Sequence, residues 1–300
     1  MSKPPFLDLP PSARARRIRT ARGEFAAHEA GRGERGTALL VPGFTGSKED
    51  FIGLLEPLAA AGFRVVAVDG RGQWETGGPR TEGAYARTEL ARDVHALATA
   101  LGDVPGPDGR GSTPLHLLGH SLGGLVCRAA VLRDPAPFAS LTLLSSGPAA
   151  VSPSQQQRVK MLMGALPTMS MEQIWQAMRE LDPPEAASEE TPDAVAEFLR
   201  RRWLANVPEQ LTESGRILTG EPDRVAELAR VPLPFHVLSG EVDYAWPVPQ
   251  LDGMAERLGA RRTVVREAGH SPNAERPEET AAALADFWRY AAPAAGAGSG

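Results

Sequence analysis

The sequence holds one cysteine, Cys127, in 300 residues. No disulfide can close within the chain, which is compatible with a reducing compartment. A basic excess is also missing: 32 Lys and Arg stand against 37 Asp and Glu, for a net charge of −5. Without a positive field, neither nucleic acid nor an anionic membrane surface is an expected partner. No stretch is apolar for long enough to span a bilayer. The first twenty residues are rich in Pro and Arg and contain no apolar run that could serve as a signal sequence. No cluster of His, Cys and carboxylates has the spacing of metal ligands. These absences predict a cytoplasmic protein with no metal, and internal repeats are absent too.

Core-forming residues are plentiful, at 42% hydrophobic against 23% charged. Short apolar runs alternate with helical spacing along much of the chain. Strands are predicted at Arg17–Thr20, Gly23–Glu29, Thr37–Val41, Phe63–Val68, Leu115–Leu118, Leu141–Leu144, Phe235–Leu238 and Arg262–Arg266. Helices are predicted at Lys48–Ala61, with a kink or break at Pro57, and at Glu82–Leu101, Leu122–Arg133, Leu251–Leu258 and Pro277–Tyr290. Gly106 to Gly111 reads as a loop. Continuous apolar strands alternating with helices demand a parallel sheet covered on both faces. From Val151 to Arg230 only helical patterns occur, and these read as a cap inserted between two strands of one sheet. The expected organisation is a core of residues 1–150 and 231–290, a helical cap of 151–230 and a flexible tail of 291–300.

The chemistry is expected where the strand ending at Leu118 meets the helix starting at Leu122. The join reads Gly119-His120-Ser121-Leu122-Gly123-Gly124, a G-x-S-x-G sequence between strand and helix. Glycines flank the serine because side chains there would strike the neighbouring strand and helix. A serine hydroxyl needs a base, and the base needs an orienting carboxylate. The chain order for this motif is serine, acid, histidine. His270, in the loop after the last strand, is the candidate base. His28 precedes the serine, His95 lies on a helix, His116 and His236 lie within strands and His120 belongs to the turn, so these five read as structural or solvent-facing. The loop Ser239 to Pro247 supplies Asp243 as the candidate acid, with Glu241 as fallback. An acid one strand earlier is closed off, because Ser145-Ser146-Gly147 has no carboxylate. Oxyanion donors are expected from the backbone N–H groups of Leu122 and of Phe44, in the loop Pro42-Gly43-Phe44-Thr45-Gly46.

With Pro42-Gly43-Phe44, Asp69-Gly70-Arg71-Gly72, Gly119 to Gly124, Gly240 to Asp243 and Gly269-His270 in view, the chain resembles the capped α/β-hydrolases over nearly its whole length. Bacterial esterases, lactonases and carbon–carbon bond hydrolases are of this kind. The resemblance implies an α/β-hydrolase fold with a mostly parallel eight-stranded sheet, no cofactor and a covalent acyl-enzyme. Many relatives have His-Gly where this chain has Pro42-Gly43, so no imidazole acts there. Serine rather than aspartate at 121 argues against the haloalkane dehalogenase and epoxide hydrolase branches. Asp69-Gly70-Arg71-Gly72 precedes the serine and reads as a structural loop. Cys127 reads as packed core. The Met and Trp residues of the cap, Met161, Met163, Met169, Met171, Trp175, Met178 and Trp203, either line an apolar acyl pocket or pack helices together.

The expected partner is a small, partly apolar molecule bearing a carboxylic ester, lactone or thioester; the oligomeric state is open. Two alternatives keep the machinery and change the bond, to carbon–carbon or peptide. An aminopeptidase would grip the substrate amine with Glu185, Glu189, Glu190 or Glu197, residues that read more simply as a solvated helix face. A further alternative is a ligand-binding homologue without turnover. Fold and triad are common to all of these, so the residues leave the choice open.

Overall fold

β-branched and leucine-rich runs with no polar alternation can persist only where both faces of a sheet are covered. The computed structural model, which describes residues 1–102, 114–180 and 191–291, shows this arrangement. Eight strands form one sheet in the order β1-β2-β4-β3-β5-β6-β7-β8. They are β1 (Ala13–Thr20), β2 (Gly23–Ala30), β3 (Thr37–Val41), β4 (Arg64–Val68), β5 (Leu115–His120), β6 (Ser140–Leu144), β7 (Phe235–Gly240) and β8 (Arg261–Val265). β2 pairs antiparallel with β1 and β4, and the remaining pairs are parallel. At the centre, Leu39 lies opposite Val66 on one side and Leu117 on the other.

Successive residues of these strands point to opposite faces. Leu39, Val66, Leu117 and Leu143 pack on one side with α2 (Arg87–Gly102), α3 (Leu122–Arg133) and α9 (Val248–Leu258). Leu40, Val65, Leu118 and Leu238 pack on the other with α1 (Ile52–Ala60) and α11 (Pro277–Ala291). Each fully buried Leu or Val contributes about 1.5–3 kcal/mol, so these two layers dominate the stabilisation. Cys127 is buried in the first layer, where burial pushes its thiol up.

Three expectations shift. β1 starts at Ala13, four residues early, because this edge strand is charged and shows no apolar alternation. Its Arg14 and Arg16 instead converge on the carboxylate of Glu29 in β2, at 3.0 and 2.7 Å. The helix at 52–60 runs through Pro57 without a break; the irregular residue is Phe51, which joins it to a preceding 3-10 turn at Lys48–Phe51. The helix expected from Glu82 is likewise divided, with a 3-10 turn at Glu82–Tyr85 before α2. The loop at 106–111, Glu185, Glu189 and Glu190, and the tail from 292 onward lie outside the described residues.

Between β6 and β7 the described chain is helical: α4 (Pro153–Ala165), α5 (Met171–Glu180), α6 (Asp193–Ala205), α7 (Pro208–Gly220) and α8 (Val225–Leu228). Trp203, Ile174 and Leu211 form a small core of their own, with Trp203 Nε1 donating to Met171 O at 2.8 Å. Buried ion pairs fasten these helices to the core, among them Arg128 with Glu221 at 2.9 Å. Arg202 of α6 donates to Asp50 Oδ1 at 2.5 Å, and both side chains are fully buried. Asp50 Oδ2 also accepts the Ser47 N–H, and its carbonyl accepts Asn273 Nδ2 at 2.7 Å. α10 (Pro272–Glu275), which carries Asn273, follows the His270 loop. Among the described residues no helix is long and apolar enough to cross a membrane, and no group of three His, Cys or carboxylates could hold a metal ion.

Two predictions follow from this packing. Replacing Arg202 with Met leaves the Asp50 carboxylate buried without its cation, which should cost about 3–5 kcal/mol in urea unfolding; a loss under about 1 kcal/mol would contradict the role assigned to the pair. His116, stacked on Trp288 at 5.5 Å and bonded to Ser140 Oγ at 2.9 Å, is held neutral by burial, its pKa lowered from 6.5 to about 4. The unfolded chain therefore takes up this proton first as pH falls. The stabilisation is complete above about pH 6.5 and drains as pH falls toward 4. His116→Phe should make the melting temperature fall less steeply across that window; an unchanged slope in calorimetry would refute it.

Candidate active site

Ser121 lies between β5 and α3 at φ 55° and ψ −120°, a conformation that an L-residue adopts only when its surroundings impose it. Two constraints do so. The Ser121 N–H donates to Leu144 O of the adjacent strand at 2.9 Å. Gly123 packs so closely on β3 that a methyl group there would stand 2.4 Å from Val41 O. α3 is thereby pressed onto the sheet, and the turn has room for nothing but the strained residue. The hydroxyl is left at the carboxyl edge of the sheet, at the first turn of α3.

His270 and Asp243 meet Ser121 there. His270 Nε2 is 3.1 Å from Ser121 Oγ, and its Nδ1 is 3.0 Å from both Asp243 oxygens. A carboxylate only accepts, so Nδ1 carries the proton and donates, leaving Nε2 as acceptor for the serine hydroxyl. Asp243 is itself fixed by the N–H groups of Ala245 and Trp246, at 2.8 and 3.0 Å to Oδ1. Its side chain is fully buried. Tyr244 and Trp246 flank the imidazole, with ring centroids 4.8 and 6.3 Å away. Glu241, the fallback acid, is turned away; it accepts the Glu267 N–H at 2.9 Å.

Phe44 lines the cavity that holds Ser121, and Leu122 directly follows the serine in the chain. Leu122 opens α3, so its N–H has no carbonyl one turn back to bond. Among the described residues neither the Leu122 nor the Phe44 N–H donates to an acceptor. Gly43 lies against the serine, where an added methyl would be 3.2 Å from Ser121 Cβ. The five residues of the expected set are therefore gathered at one place.

The other histidines lie elsewhere or face inward. His120 is buried beneath the turn, and its Nε2 donates to the His270 carbonyl at 2.9 Å. Burial and the neighbouring His270 push it down to about 3, so it stays neutral and keeps that donor. His28 and His236 are also pushed down by burial, to about 4 and about 3. His95 bonds Ala130 O across two helices at 3.0 Å.

A cavity of about 160 Å³ opens onto Ser121 and His270. Phe44, Val151, Val159, Leu218 and Tyr244 wall it, with Gln155 as a polar side chain and Met1 and Ser2 at its margin. None of the described residues lining it carries a charged side chain. The cap Met and Trp residues do not line it; Trp203, Trp175, Met171 and Met178 pack the helices on one another. Sequence reading missed Val151, Gln155, Val159 and Leu218, since nothing in a helical pattern marks which face overhangs a distant loop. A larger open hollow of about 680 Å³ lies at the opposite edge of the sheet, around Arg14, Glu29 and Glu56.

Residues 38–283 match the alpha/beta hydrolase family, and the chain belongs to it. Among its relatives is a pimeloyl-(acyl-carrier protein) methyl ester esterase from Aeromonas hydrophila, 31% identical over 170 residues. That alignment covers 55% of this chain and 66% of the esterase. A 2-hydroxy-6-oxononadienedioate/2-hydroxy-6-oxononatrienedioate hydrolase from Paraburkholderia xenovorans is 32% identical over 49% of this chain and 50% of its own. The chain thus spans between half and two thirds of the length of these two relatives. In three dimensions a thermophilic esterase from Thermogutta terrifontis superposes with a TM-score of 0.73, at 23% identity, over 93% of this chain and all of the other. At that identity the likeness speaks for the fold: an eight-stranded, mostly parallel α/β-hydrolase sheet flanked by helices.

Proposed function

We propose that this protein is a serine hydrolase that cleaves a carboxylic ester, or a lactone or thioester, of a small acyl group through an acyl-enzyme on Ser121. The observation that carries this reading is the unbroken line from Asp243 through His270 to Ser121, ending at a cavity walled by Phe44, Val151, Val159 and Leu218. Residues 151–230 act as its cap, a role supported by Val151, Val159 and Leu218 forming one wall.

The chemistry runs as follows. His270 Nε2 takes the hydroxyl proton while Ser121 Oγ attacks the carbonyl carbon. The oxygen that gains charge is held by the N–H groups of Phe44 and Leu122, and Asp243 stabilises the imidazolium. The tetrahedral adduct collapses, the carbon–oxygen or carbon–sulfur bond breaks, and the leaving group takes the proton from His270. Water then gives a proton to His270, attacks the acyl carbon and releases the acid, restoring Ser121. No cofactor is needed for either half.

The cavity favours an ester over a peptide amine. An aminopeptidase would need a carboxylate facing the substrate amine, and the described lining residues offer none. Glu197, one residue considered for gripping an amine, lies 3.6 Å from Arg200 on the same helix. A volume near 160 Å³ suits a short acyl group, since a dry cavity of about 150 Å³ takes up a benzene ring.

Ser121→Ala should abolish hydrolysis of an activated short-chain ester and labelling by a fluorophosphonate, with the melting temperature unchanged. Retained turnover in the purified variant would end the proposal. Asp243→Asn should lower kcat by about 10³–10⁴, through loss of tautomer control, whereas Glu241→Gln should stay within about twofold of wild type. If Glu241→Gln were the damaging change, the acid would have been misassigned.

A further inference from the structure

The loop Asp69-Gly70-Arg71-Gly72 has no place in the chemistry above, yet it is held with unusual firmness. Asp69 is fully buried, accepts the Lys48 N–H at 2.8 Å and pairs with Lys48 Nζ at 3.1 Å. Arg71 donates to both oxygens of Asp93 in α2, at 2.7 and 2.6 Å. The next residue, Gln73, is buried and faces the oxyanion loop. Its Nε2 donates to Gly43 O at 2.7 Å and to Phe44 O at 3.1 Å. Its Oε1 accepts the Gly70 N–H at 3.0 Å. That pattern fixes the amide orientation, because the flipped amide would set an oxygen against two carbonyls.

The Gly43 carbonyl and the Phe44 N–H belong to one peptide unit. Such a unit is planar, and every peptide bond described is trans, so the two groups point in opposite directions. Drawing the carbonyl toward Gln73 therefore turns the N–H away from it. The sides of the loop differ accordingly. Gln73 lines a small apolar cavity behind the loop, together with Pro42 and Val68, and does not line the cavity that holds Ser121 and Phe44.

We propose that Gln73 is a positioning residue that aims the Phe44 N–H at the carbonyl oxygen of the substrate. It touches no reacting atom. Together with the Gly46 N–H, which donates to the same Gly43 carbonyl at 3.2 Å, it holds the peptide plane before substrate arrives, so the donor needs no reorganisation as charge develops. The Asp69–Lys48 and Arg71–Asp93 pairs hold the loop that presents it. The inference rests on the serine-hydrolase reading above.

The test compares wild type with Gln73→Leu and Gln73→Glu on an activated short-chain ester. Removing a whole oxyanion donor costs 10²–10³ in kcat, so releasing one to tilt should cost roughly 10- to 100-fold. In Gln73→Leu, KM should stay within about threefold, because the ground-state carbonyl makes weaker use of the donor. Inhibition by a trifluoromethyl ketone, which forms a tetrahedral adduct, should weaken in step with kcat/KM. Gln73→Glu places a carboxylate against two carbonyls; protonation returns an O–H donor, so its activity relative to Gln73→Leu should rise as pH is lowered. A merely structural glutamine would shift the melting temperature without these signatures. Gln73→Leu with kcat within about twofold of wild type, or a kcat loss with undiminished ketone binding, overturns the inference. If Gln73→Leu fails to fold, the pH trend of Gln73→Glu against wild type decides, and a flat ratio overturns it. Wild-type protein that neither hydrolyses the ester nor reacts with a fluorophosphonate would sink the underlying function instead.

Discussion

Ser121 could not rest at a positive φ on its own; the conformation persists because the sheet and α3 leave the turn no alternative. Such strain costs on the order of 1–3 kcal/mol, which the two buried layers around the central strands offset many times over. The dependence also runs outward. The serine N–H is anchored on β6, the glycine behind it abuts the end of β3, and β3 leads directly into the loop that carries Phe44. One tight turn thereby ties the position of the hydroxyl to that of the loop facing it.

The partners of the serine come from distant parts of the chain, and the parallel sheet is what makes their meeting routine. Parallel strands all end on the same edge, so the loops after β3, β5 and β7 and the loop after β8 share a small area without any long excursion. His120 adds a link beneath that surface. Its proton is held on the nitrogen facing the His270 carbonyl, and burial keeps it from titrating in the range where hydrolases work. The imidazole of His270 is therefore restrained through its backbone as well as through Asp243.

Much of this was legible in the residues alone. The strand–turn–helix setting of Gly119 to Gly124, the position of His270 after the last strand and the carboxylates at 241 and 243 each carry a local signature, because each sits on a turn whose chemistry is written in consecutive residues. The eight strands could be read for the same reason, apart from the first half of the charged edge strand, whose stabilising contacts lie across the sheet at Glu29 rather than in its own pattern. Gln73, Val151 and Leu218 were not legible. Their meaning depends on which atoms of a remote loop they face, and a lone glutamine after a glycine, or a valine before a helix, looks the same whether it faces solvent or an active centre.

Asp50 has a consequence for how such a protein can change. Three separate parts of the chain converge on it: Arg202 from the helical insertion, Ser47 from the exit of the Phe44 loop, and Asn273 just past His270. A graft that exchanged the insertion for that of a relative, but left the sheet untouched, would strand a buried anion unless the incoming helix supplied a cation at the same spot. Insertion and sheet are thus not interchangeable modules. They share a lock whose two halves must be inherited together.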